Sequence, residues 1–195
     1  MAGPGSLEAQ TEGTLGLFLG HTSSQQLWSG DSRISAESAS GVSLGAFMDV
    51  QTPAPFLSIR AELGYVQRGG LAWDDELDPD HTRSARVKSH YLSIPIHGKL
   101  GWDLGYLSAY LVAGPTMDFL LHTGCSSEIC PLLRDDKPAV FAVSVGAGLG
   151  TEWADRYRIG AEIRLTEGLG NAYVGDLAEV RNRTLEILLR VGRPY

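Results

Sequence analysis

The chain has 195 residues, of which 43% are hydrophobic and 20% charged, and its formal net charge is −7. This length suits one domain, and the acidic balance without a lysine–arginine cluster argues against a nucleic acid partner. No stretch approaches the roughly 18 uninterrupted apolar residues of a membrane-spanning helix. That finding leaves membrane barrels open, because their strands are only half apolar.

The first ten residues, MAGPGSLEAQ, lack the basic start and the apolar run of a signal peptide. We interpret residues 1–12 as a leader remnant without fixed structure and residues 13–195 as a single domain. We expect the native export signal to be absent from this sequence.

Eight segments alternate apolar side chains with polar or small ones, which indicates strands because successive side chains point to opposite faces. In chain order they are residues 13–21, 41–51, 56–67, 89–102, 106–121, 139–153, 157–168 and 183–192. The seventh, YRIGAEIRLTEG, is the clearest, since Ile159 and Ile163 alternate with Glu162 and Arg164. No segment shows a helical period, so the sequence predicts an all-β fold.

The connections between these segments differ in length in a regular way. Residues 52–55, 103–105 and 154–156 are tight turns, whereas 22–40, 68–88, 122–138 and 168–182 are long and polar. In an up-and-down meander this order places every long loop at one end and every tight turn at the other. The pattern predicts an eight-stranded antiparallel up-and-down transmembrane β-barrel, because soluble sandwiches have no reason to sort their loops in this way.

Aromatic residues flank the tight turns and the C-terminus, where a barrel would meet the membrane–water interface. The predicted aromatic girdle consists of Phe56, Trp102, Tyr106, Trp153, Tyr157 and Tyr195. The apolar rows are therefore expected to face lipid, and the rows of charged residues and glycine are expected to face a narrow lumen.

The predicted lumen carries charges of both signs. Besides Asp49, they are Arg60, Glu62, Lys99, Glu152, Arg158, Glu162, Arg164, Glu186 and Arg190. Buried charges persist when they are paired and hydrogen-bonded, and an eight-stranded barrel has room only for side chains inside. We predict an ion-pair network that plugs the lumen; the alternative is a gated pore or a proton path.

Two polar segments raise the question of further sites. Cys125 and Cys130 have a spacing compatible with a small disulfide loop, which would imply an oxidising compartment, although two free thiols are the alternative. The acidic segment LAWDDELDPDH, residues 71–81, lacks the spacing of a calcium loop. We interpret it as a solvated loop that cations could bridge to lipopolysaccharide, and we predict no metal site.

A search for catalytic groups yields no catalytic residue. Ser93 and His97 lie four residues apart on one strand, too far apart for activation of a nucleophile. The glycines of GAGLG, residues 146–150, are not followed by a helix and do not form a phosphate loop. We therefore predict a non-enzymatic protein without a cofactor, with a lipid A-modifying barrel enzyme as a minor alternative.

Four segments together resemble a known family: HYLSIPIHGKL (90–100), YLSAYLVAGP (106–115), VSVGAGLGTEW (143–153) and RNRTLEILL (181–189). They are similar to the PorT-type small outer-membrane β-barrel proteins and, more broadly, to OmpX-like eight-stranded barrels. The resemblance implies the bacterial outer membrane as location and carries no catalytic residues to transfer.

The main functional hypothesis is a monomeric outer-membrane barrel in contact with lipid and lipopolysaccharide, whose long loops serve adhesion, envelope stability or docking of an extracellular partner. The alternative is a soluble exported barrel, resembling a lipocalin, that binds a small apolar ligand. The two hypotheses differ in the apolar rows, which would face lipid in the first and the interior in the second.

Overall fold

The computed structural model describes residues 13–29, 34–74, 85–125, 138–154, 156–169, 173–174 and 179–195. The strands are β1 (Gly13–Ser29), β2 (Ile34–Gln51), β3 (Leu57–Asp74), β4 (Ala85–Asp103), β5 (Ser108–Cys125), β6 (Ala139–Trp153), β7 (Tyr157–Gly168), β8 (Tyr173–Val174) and β9 (Glu179–Pro194). Among these residues no helix is long and apolar enough to cross a membrane. The predicted leader, residues 1–12, lies outside the described residues.

The strands form one closed antiparallel barrel. Each strand from β1 to β7 pairs with the next, β7 pairs with β9, and β9 pairs with β1 to close the sheet. The two-residue strand β8 pairs with β9 at the edge of the barrel. The barrel wall therefore has eight strands, β1 to β7 and β9, and the predicted eight-stranded antiparallel fold is confirmed.

The strands are longer than the alternating segments of the sequence. Residues 22–40 and 68–88 were assigned to connections, yet β1 continues to Ser29, β2 begins at Ile34, β3 continues to Asp74 and β4 begins at Ala85. A transmembrane strand needs only about 9–11 residues, whereas β2 and β3 have 18 each. The extra length lies beyond the apolar rows, where the alternation in the sequence fades.

The tight turns lie at the opposite end. In the turn between β4 and β5, the Leu104 amide donates a hydrogen bond to the Leu107 carbonyl at 2.8 Å. Gly105 has φ of 89°, a left-handed conformation that glycine adopts without steric cost, and its amide donates to Asp103 Oδ1 at 2.8 Å. These two hydrogen bonds and the left-handed glycine thus form the turn that the sequence predicts at residues 103–105.

The barrel wall is apolar outside and polar inside. Along β9, Leu185, Ile187 and Leu189 are exposed, whereas Glu186 and Arg190 are buried. Phe18, Phe47 and Leu188 form a buried apolar cluster within the lumen. The outward apolar rows match the predicted transmembrane barrel and are the reverse of the arrangement that a lipocalin-like barrel requires.

Candidate functional site: the charged lumen

Two glutamates lie at the centre of the lumen. Glu62 accepts hydrogen bonds from Arg164 Nη1 and Nη2, at 3.0 and 2.8 Å, and from Arg190 Nη2 at 2.8 Å. Glu162 accepts from Arg164 Nη2 at 2.6 Å and from Arg60 Nη1 at 2.8 Å. All five side chains are buried. Charge-assisted bonds of this kind are stronger than neutral ones, and the bidentate Arg164–Glu62 pair also fixes orientation.

The network continues towards the turn end through Asp49. Arg60 donates from Nε to Asp49 Oδ1 at 2.5 Å and from Nη2 to Asp49 Oδ2 at 2.9 Å. Lys99 Nζ donates to Asp49 Oδ2 at 2.7 Å. At the other side, Glu186 Oε2 lies 3.9 Å from Arg164 Nη1. The cations Arg60, Lys99, Arg164 and Arg190 thus face the anions Asp49, Glu62, Glu162 and Glu186, four of each sign.

Two of the nine residues predicted for this network lie elsewhere. Glu152 and Arg158 pair with each other at 3.2 Å at the turn end, where their side chains are 66% and 54% exposed. Arg158 Nη1 also donates to Thr14 Oγ1 at 3.1 Å. They share the inward face with the network, but they stand at the mouth of the barrel, where water solvates them. The other seven residues meet inside the lumen.

Aromatic rings inside the lumen cover the guanidinium groups. The Phe47 ring centre lies 5.1 Å from Cζ of both Arg60 and Arg190, so this ring contacts two cations. Phe18 lies 5.1 Å from Arg190 Cζ, and Tyr110 lies 5.2 Å from Arg60 Cζ. Cations over aromatic faces gain electrostatic stabilisation, most when water is excluded. The sequence pattern alone did not indicate these cation–π contacts.

Glycines on the inner wall make room for these rings. A Cβ atom on Gly64 would lie 2.7 Å from Phe18 Cζ and 3.0 Å from the Leu44 carbonyl oxygen. Glycine weakens a strand, so its presence in the middle of β3 has a packing reason.

Replacing Gly64 by valine is expected to lower the free energy of unfolding by about 1–3 kcal/mol, because the new side chain overlaps the Phe18 ring. Urea unfolding in detergent micelles, followed by gel mobility, measures this change. Gly101→Val is the matched control, since nothing lies within 4 Å of a Cβ there and the expected change is within about 0.5 kcal/mol. Equal effects of the two substitutions would contradict the packing role of Gly64.

A serine, a histidine and a carboxylate meet in the lumen. His97 Nε2 lies 2.5 Å from Ser144 Oγ, and His97 Nδ1 lies 3.8 Å from Glu62 Oε1. Thr116 Oγ1 lies 3.2 Å from Ser144 Oγ. The sequence pattern offered only Ser93 near His97 on the same strand, whereas Ser144 comes from β6, two strands away. All of these side chains are buried.

A second buried ion pair lies nearer the long-loop end. Arg68 Nη1 donates to Asp118 Oδ2, and Arg68 Cζ lies 5.8 Å from the Tyr91 ring centre. Ser24 and Thr184 share a hydrogen bond of 3.0 Å on the neighbouring wall. None of these residues was assigned to the predicted network; Arg68 lay in the predicted connection 68–88.

Two cavities lined by described residues lie in separate parts of the lumen. A cavity of about 600 Å³ opens at the turn end, between Trp102 and Tyr106 at its rim and Arg60 and Lys99 at its inner end. A second cavity of about 10 Å³, lined by Glu62 and other residues, lies farther in. The two share no lining residue. A space of the smaller size holds about one water molecule.

The six residues of the predicted girdle are all exposed at the turn end. They are Phe56, Trp102, Tyr106, Trp153, Tyr157 and Tyr195. The ring centres of Trp153 and Tyr157, which pair across β6 and β7, lie 6.5 Å apart. Amphipathic rings in this position suit a membrane–water interface.

Two predictions fall outside the described residues. The candidate disulfide needs Cys130, which lies in the segment 126–137, and it stays a prediction. The acidic segment 71–81 lies for the most part in residues 75–84, and its cation binding also stays untested.

Comparison with known proteins finds a matching family model and solved structures of similar fold. The model of a family described as outer membrane protein beta-barrel domain matches residues 6–174. OprG from Pseudomonas aeruginosa is 7% identical, with 95% of this chain and 96% of that chain covered, at a TM-score of 0.67. Neisserial surface protein A is 15% identical, with 90% and 96% covered, at a TM-score of 0.50. No curated protein sequence matches the chain.

Proposed function

Because the chain belongs to the outer membrane protein β-barrel domain family and is an integral protein of the bacterial outer membrane, we propose that it is a barrel that neither conducts ions nor catalyses a reaction. Its lumen serves as a rigid, plugged support, and its functional contacts are made at the end with the long connections. The family match supports the broader group of outer-membrane barrels. Membership of the PorT-type subgroup within that group is part of the proposal.

The ion-pair network is the observation that carries the proposal. Four cations and four anions lie between the cavity at the turn end and the small cavity beyond it. An ion crossing the lumen would have to displace arginines that each make several charge-assisted bonds. Breaking a buried pair costs several kcal/mol, which makes a permanently open path unfavourable.

The arrangement of Ser144, His97 and Glu62 supports a structural role better than hydrolysis. A nucleophile needs space for a substrate and donors for a developing oxyanion. Ser144 and His97 are fully buried, and the cavity that Glu62 lines has a volume of only about 10 Å³. Their hydrogen bonds join β4, β5 and β6 across the lumen.

Strand length supports a role at the long-loop end. Outer-membrane barrels carry short turns on the periplasmic side and longer connections outside. The strands β1 to β5 extend well beyond the apolar rows at that end, which supports contacts made beyond the lipid surface. We place adhesion, envelope stability or partner docking there, with the monomer in contact with lipopolysaccharide.

Conductance across planar bilayers tests the plugged lumen. We expect the refolded wild-type protein to show no stable current steps in potassium chloride, although heat-modifiable gel mobility confirms that it is folded. A porin inserted in the same bilayers provides the positive control for detection. Steady single-channel currents from the folded wild-type protein would overturn the proposal.

A further inference from the structure

Two histidines lie side by side on the outer wall at the long-loop end. His90 on β4 pairs directly with His122 on β5, and their ring centres lie 5.9 Å apart with planes inclined by 35°. His122 is exposed and His90 is partly exposed, whereas the flanking Ser89 and Tyr91 are buried. Both imidazoles therefore lie on the outer face and are open to solvent or headgroups.

A bulge in the β4–β5 ladder produces this pairing. The register shifts between His90 and Tyr91, so that Tyr91 pairs with Leu120 while His90 pairs with His122. Leu121 on β5 is skipped in this pairing. Beyond it, residues that face outward on β4 again pair with residues that face outward on β5. Bulges commonly re-aim side chains at sheet edges and at barrel rims.

A hydrogen-bonded chain holds the first imidazole. His90 Nδ1 lies 2.5 Å from Tyr65 Oη, and Gln67 Nε2 donates to the same oxygen at 2.8 Å. When His90 Nδ1 carries the proton and donates to Tyr65, the lone pair of Nε2 is free. Histidines that bind metals are usually oriented by such a bond from the other ring nitrogen.

We propose that His90 and His122 form a two-histidine site for a divalent transition-metal ion of the imidazole-preferring class, such as Zn²⁺, Ni²⁺ or Cu²⁺. With metal–nitrogen bonds of about 2.0–2.1 Å, two ring centres that share one ion stand roughly 5–6 Å apart, as these do. Water fills the remaining coordination positions. Within the described residues no group of three or more metal-ligating side chains is found, so the site rests on this pair.

Isothermal titration of the full chain, refolded in phosphate-free detergent micelles, with Zn²⁺ tests the site. We expect one site in the wild-type protein and an affinity at least about tenfold lower in both His90→Gln and His122→Gln, because each variant leaves a single imidazole. Tyr65→Phe removes the orienting hydroxyl, and a loss of about tenfold is expected from it. Gel mobility before and after boiling confirms that each variant is folded.

His21→Gln is the matched control, because His21 is also exposed on the barrel wall but pairs with Val42 and Ile187 rather than with a histidine. Its Zn²⁺ affinity should equal that of the wild-type protein. Imidazole NMR signals of His90 and His122 should shift together at one equivalent of Zn²⁺. Absence of binding in the folded wild-type protein, or unchanged affinity in either His90→Gln or His122→Gln, would overturn the proposal.

Discussion

Replacing Glu162 by glutamine is expected to lower the free energy of unfolding by about 3–5 kcal/mol, the range found when one partner of a buried ion pair is removed. The Glu162 carboxylate binds the guanidinium groups of Arg60, Arg164 and Arg190. Without it, these three cations remain buried with too few anions, and neither water nor another carboxylate replaces the lost charge.

Urea titration of the refolded protein in micelles measures this effect, with folded and unfolded chains separated by gel mobility. Glu152→Gln is the matched control: it also removes one carboxylate from an arginine pair, but both partners are more than half exposed. An exposed pair contributes at most about 1 kcal/mol, so the control should unfold close to the wild-type midpoint. Similar midpoints for the two variants would show that the lumen network does not stabilise the barrel.

The contrast between these two glutamates shows what alternation can and cannot predict. The alternating pattern identifies the face of a strand, and it assigned both Glu152 and Glu162 to the interior. The pattern does not give the height of a residue along the barrel axis. Glu152 lies exposed at the mouth of the barrel, whereas Glu162 meets Arg60 from a distant strand. That meeting depends on the register of every strand between them.

The aromatic residues inside the lumen were harder to predict. Interfacial aromatics were recognised because they flank tight turns, but Phe18 lies inside β1, and Tyr110, near the start of β5, is buried in the lumen. Their signal is indirect: glycines on other strands, such as Gly64 against Phe18 and Gly148 against Tyr110, leave the space that the rings fill. Matching glycines with aromatic rings requires the strand register, which the sequence pattern alone does not provide.

The pairing of His90 with His122 could not be predicted for a similar reason. Both lie where the alternating segments end, and sequence analysis assigned residues 122–138 to a connection. The bulge at Leu121 determines that the two imidazoles share the outer face. A single extra residue in one strand leaves no clear mark on the hydrophobic period.

Replacing Leu189 by arginine is expected to destabilise the folded barrel in phospholipid vesicles by about 2–4 kcal/mol, the cost of a cation on the lipid face near the bilayer midplane. Leu189 is 63% exposed on β9, at the middle of an apolar row that runs from Leu185 to Val191. In lipid the guanidinium loses its hydration and has no carboxylate beside it. Reversible unfolding in guanidinium chloride, followed by tryptophan fluorescence, measures the change.

Leu104→Arg provides the control, because Leu104 is 65% exposed but lies in the tight turn between β4 and β5, where the side chain reaches water. A cation near the interface should cost no more than about 1 kcal/mol. The difference between the two substitutions therefore reports depth in the bilayer rather than the loss of a leucine. If both cost the same small amount, the apolar row on β9 does not contact the hydrocarbon core. A large free-energy cost at Leu189 alone places the outward face of the barrel in lipid. The charges on the inward face must then neutralise one another.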